Sequence, residues 1–90
     1  MTFAATPRPV TPQDLEAVRA VLPEADGWRT TLEADPDCDA PWIAAIAPSG
    51  VGWTIGRQGA AFFAVSAWGL GRGWDGLASA WDAACFIAEA

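Results

Sequence analysis

Leu15, Val18 and Leu22 recur at helical spacing behind a clear start signal: Thr11 at the N-cap, Pro12 at the first helical position and Asp14 in the first turn. This pattern predicts a helix that Pro23 closes. Asp26-Gly27 then turns the chain. Over residues 28–34 the period changes to two, with Trp28, Thr30, Leu32 and Ala34 on one side and Arg29, Thr31 and Glu33 on the other. That alternation predicts a half-buried strand. Residues 42–47, 51–57 and 60–68 predict three further strands, separated by Pro48-Ser49-Gly50 and Gln58-Gly59. Connections this short favour an antiparallel meander.

Gly69-Leu70-Gly71-Arg72-Gly73 reads as a flexible link into a last helix over residues 74–88. On that helix Trp74, Leu77, Trp81, Ala84, Cys85 and Ala88 form an apolar stripe, opposite Asp75, Ser79, Asp82 and Glu89. The expected architecture is therefore α+β: a two-layer sandwich in the order α-β-β-β-β-α, with a four-stranded antiparallel meander and two helices. Residues 1–10 read as an irregular N-terminal arm and residues 11–90 as one domain. Two of the strands, residues 41–47 and 60–68, are apolar on both faces. Either the helices cover opposite faces of the sheet, or one face carrying Trp42, Ile43, Phe62 or Trp68 meets something else.

Composition sharpens this picture. Ninety residues bury a thin core, and six Trp and four Phe supply bulk while twenty Ala fill the gaps. Eleven Asp and Glu stand against five Arg, with no Lys and no His, for a net charge of −6. A phosphate backbone would be repelled, so direct nucleic-acid binding is not expected, and a basic protein is the favoured partner. Cys38 and Cys85 lack any CxxC or metal-ligand spacing and read as reduced thiols. The N-terminal residues lack the apolar run of a signal peptide, and no stretch approaches the roughly 20 apolar residues of a membrane span, so the expected location is cytoplasmic.

Motif-level chemistry is sparse. Asp35-Pro36-Asp37-Cys38-Asp39 opens like a calcium loop, but Ala40 and Ile46 stand where that loop needs Gly and Glu, so no metal is expected. Gly71-Arg72-Gly73-Trp74-Asp75-Gly76 matches GxGxxG, yet too few residues follow for a second parallel strand, and no cofactor is expected. A weaker anion site at the helix start beside Arg72 is the residual reading. Serine or cysteine nucleophiles would lack the usual base, because the chain has no His or Lys. The expectation is a protein that is not an enzyme.

Two features remain. Glu24, Asp26, Glu33, Asp35, Asp37 and Asp39 oppose only Arg29 between residues 24 and 39, a local net of −5, whereas residues 46–90 total −1. Phe86 falls on the polar side of the predicted last helix, as an interface anchor would. These seven residues are the candidate partner-binding set. They suggest a small acidic protein that blocks a basic, nucleic-acid-handling partner by presenting carboxylates where that partner expects phosphates. Phage-encoded inhibitors such as anti-CRISPR and anti-restriction proteins work this way as a class, an analogy that rests on size, charge and missing catalytic equipment. The alternatives are a self-associating assembly protein that dimerises through its sheet, and an immunity protein against a basic toxin.

Overall fold

The computed structural model describes residues 10–34, 41–66 and 73–89. Helix α1 spans Pro12–Val21 and a single 3₁₀ turn spans Glu24–Asp26. Strands β1 (Arg29–Glu33), β2 (Trp42–Ile46), β3 (Gly52–Gln58), β4 (Ala61–Ser66) and β5 (Gly73–Leu77) follow, and helix α2 (Ala80–Ala88) ends the fold. The strands form one antiparallel sheet in the order β1-β2-β3-β4-β5. The fold is thus α+β, with five strands where the sequence pattern predicts four.

The local signals explain α1. The Asp14 amide donates to Thr11 Oγ1 at 3.2 Å, and the Thr11 amide donates to Asp14 Oδ2 at 2.8 Å, a reciprocal capping box. One helical face buries Val18, and Leu22 follows it into the core. From the last turn of α1 the Arg19 guanidinium donates to Thr30 on β1, to Oγ1 at 3.3 Å and to the carbonyl oxygen at 3.1 Å. Thr30 is the one buried polar residue among those described, and this fork satisfies it.

The predicted last helix is corrected at its start. Residues 73–77 form β5 on the sheet edge, and the helix begins six residues later than expected. Gly76 adopts φ +72°, which no α-helix can absorb. It sits where β5 shifts register against β4, so that residues 74–77 oppose only residues 62–64. The true N-cap is Ser79, whose Oγ accepts from the Asp82 amide at 3.2 Å.

Both helices lie on the same face of the sheet, packed against each other and against β1, β3, β4 and β5. Beneath them Ile43, Ala45, Trp53, Ile55, Phe62 and Ala64 are buried, and from α2 Ala80, Ala83, Ala84 and Ile87. Full burial of an Ile, Leu or Val side chain contributes about 1.5–3 kcal/mol, so Val18, Leu22, Ile43 and Ile55 contribute strongly to this small core beside the larger, nearly buried Trp53 and Phe62. The alanine face of α2 lets the helix approach closely, and that turns the expected stripe by about one residue: Ala84 is buried as expected, but Trp81 is 50% exposed. Trp74, on β5, is 61% exposed. No described helix is long and apolar enough to cross a membrane.

Candidate interaction surface

Because the two helices share one face, no described element covers the other face of the sheet. Strand alternation assigns its residues. Thr30, Leu32, Ile43, Ala45, Trp53, Ile55, Phe62 and Ala64 point to the helices, so Trp42, Ala44, Ile46, Thr54, Ala61, Phe63 and Val65 point away. Ile46 is 38% and Val65 41% exposed. Along β1 the same face carries Arg29, Thr31 and Glu33, with the Thr31 hydroxyl donating to Glu33 Oε2 at 2.6 Å.

A pattern invisible to strand prediction organises this face. Three of its apolar residues stand directly opposite a glycine on the neighbouring strand: Ile46 with Gly52, Phe63 with Gly56 and Val65 with Gly73. A Cβ at Gly56 would collide with the Phe63 ring, and one at Gly73 would meet Val65 Cγ1 at 3.0 Å. Phe63 and Val65 therefore lie across Gly56 and Gly73, which shields backbone and flattens the face there. Five strands spaced about 4.8 Å apart and about five residues long make a surface of roughly 300 Å² in projection.

At the β3-β4-β5 end the surface dips into an open depression of about 490 Å³, lined by Gln58, Phe63, Val65, Gly73, Trp74 and Asp75. Asp75 lies in the shifted segment of β5 opposite Phe63. Among the described residues it has no ion-pair partner. Next to this end, on the helix side, the Arg57 guanidinium lies 4.9 Å from the centroid of the Phe62 ring.

The sequence-predicted site residues distribute differently. Glu24 and Asp26 are exposed on the 3₁₀ turn before β1, and Glu33 is exposed at the far end of that strand. About 13 Å of extended chain separates Arg29 from Glu33, so these three acids do not form one patch. Asp35, Asp37 and Asp39 lie outside the described residues, as do Arg72, Trp68 and Cys38. Phe86 turns inward: it is half-buried, edge-to-face with Trp53 at 6.1 Å between centroids and 85° between planes. Starting α2 at residue 80 and seating its alanine face on the sheet carries Phe86 to the core margin, which corrects its expected place on the polar side. The anion site expected at a helix start near Arg72 has no counterpart at residues 73–77, which are strand.

Sequence reasoning missed Val65, Phe63 and Asp75 as one cluster, together with the glycines opposite the apolar side chains. Glycine inside an otherwise apolar strand was the available signal. Cys85 on α2 carries a free thiol. Among the described residues no group of three His, Cys, Asp or Glu could hold a metal ion.

Fold and surface together define an α+β two-layer protein whose described elements cover one side of the sheet and leave the other open. Comparison with protein-family models, curated proteins and solved structures gives no match.

Proposed function

We propose that the protein is a non-catalytic binding protein that docks a basic, nucleic-acid-handling protein on its open sheet face and thereby blocks that partner. The single observation that carries this reading is the sheet face that no described element covers, with Phe63 and Val65 on β4, Ile46 at the end of β2, and Glu33 and Asp75 on the two edge strands. Patches of about 300–600 Å² are the largest that monomers ordinarily expose, and they are often functional. The apolar centre would supply affinity. The net charge of −6 would steer a basic partner toward it and oppose nucleic acid.

The test compares the immobilised protein with its Ile46→Glu/Val65→Glu variant as bait. A basic protein should be retained at low salt by the wild type alone, elute as salt rises and be displaced by duplex DNA or RNA. Equal retention by the variant, or indifference to nucleic acid, overturns the reading.

A second reading, self-association through the sheet, has one observation in its favour. Arg29 and Glu33 flank Thr31 symmetrically on the open face, so a two-fold axis at Thr31 would set each Arg29 against Glu33 of the other copy. One argument weighs against it: two copies bring like net charges together. Light scattering decides: a dimer dissolved by Ile46→Glu would replace the first reading.

A further inference from the structure

The open-face reading leaves unspecified what a basic partner places in the depression between β3, β4 and β5. That depression has three relevant properties. Its volume of about 490 Å³ lies within the roughly 300–1,000 Å³ of ligand clefts. It combines two aromatic residues, Phe63 and Trp74, with a carboxylate, Asp75, and an amide, Gln58. Asp75 is its one ionisable lining residue, and among the described residues that carboxylate has no cationic partner.

We propose that this depression receives an arginine side chain of the docked protein, its guanidinium held between the Asp75 carboxylate and the Phe63 ring. The inference rests on the open-face reading and names the chemistry of its anchor. A guanidinium is planar and weakly hydrated. It can give two parallel N–H donors to one carboxylate while lying against an aromatic face. Its remaining donors point outward, where the Gln58 amide oxygen can accept. Lysine fits less well, because an ammonium is a compact, strongly hydrated charge and the depression is too open to strip its water. A neutral side chain would leave the carboxylate unpaired beneath the partner, an arrangement that disfavours docking. Phe63 is fixed for this role by Gly56, since the ring lies over the glycine and cannot sink further.

The test uses N-acetyl-arginine amide as the probe, with N-acetyl-lysine amide and N-acetyl-citrulline amide as controls, followed by ¹H–¹⁵N correlation spectra. The arginine compound should shift the amides of Val65, Gly73 and Asp75, the side-chain amide of Gln58 and the Trp74 indole, and the shifts should saturate. The citrulline compound, of the same shape without the charge, should produce none. The lysine compound should bind at least threefold more weakly. Asp75→Asn should weaken the arginine compound at least threefold, and Phe63→Leu, which keeps an apolar cover over Gly56, at least twofold. Equal response of the Trp81 indole on α2, binding of citrulline as tight as that of arginine, or no effect of Asp75→Asn overturns the assignment. If the arginine compound fails while Ile46→Glu/Val65→Glu still releases the captured protein, the arginine anchor falls and the docking face stands. If it binds while that variant captures as well as wild type, the docking face falls and a guanidinium site remains.

Discussion

The ring of Phe63 lies across Gly56, its cross-strand partner, so closely that no β-carbon could be added to the glycine without displacing it. Neither residue explains itself alone. A glycine inside β3 weakens the strand, and a phenylalanine on the uncovered face of β4 exposes apolar area; placed opposite each other, each offsets the other's cost.

Gly56→Ala should therefore destabilise the fold by about 1–3 kcal/mol, although alanine is the better strand residue, because the ring must leave its seat. In a Phe63→Ala background the same change should cost far less. Urea unfolding of the two single variants and the double variant measures the coupling, and additive effects would show that the ring does not rest on the glycine.

Phe86 meets Trp53 edge-to-face at the margin of the core, so it acts through stability. Phe86→Ala should cost about 2–4 kcal/mol, somewhat below a fully buried phenylalanine, and should change the near-ultraviolet circular dichroism as Trp53 loses its neighbour. A variant with unchanged unfolding midpoint would return Phe86 to the list of surface anchors.

The capping box of α1 should behave as one unit. Thr11→Ala and Asp14→Ala should each lower stability by about 1 kcal/mol, and the double variant should lose clearly less than the sum, because either change breaks the reciprocal pair. Thermal unfolding of the four proteins checks this.

Arg19 should protect both stability and monodispersity. Its guanidinium satisfies the buried Thr30 hydroxyl and occupies the Thr30 carbonyl on β1, an edge strand. Arg19→Met keeps the aliphatic stem and removes the donors. It should cost about 1–3 kcal/mol and raise the rate of aggregation on heating, read by light scattering. Lost stability without added aggregation would mean that Arg19 does not guard the edge.

The chain's own pattern determined most of the elements and their order, because each obeys a local rule. Thr11, Pro12 and Asp14 start α1 as caps do anywhere, and the period of two in residues 28–34 and the turns at 48–50 and 58–59 set the strands within one or two residues. Where a local rule was ambiguous the reading failed: Gly73–Leu77 fits a helical wheel as readily as a strand, and only pairing with β4 and the positive φ of Gly76 select the strand. The acidic composition and the absence of His and Lys were also legible. Tertiary structure alone decided which face each element buries. Two-sided apolar strands permit the helices on either face or on both; contact between α1 and α2 puts them together and leaves Ile46 and Val65 exposed and Phe63 half-buried on the other face. Likewise the pairing of those three side chains with Gly52, Gly56 and Gly73 depends on register, a relation between strands that no single segment encodes.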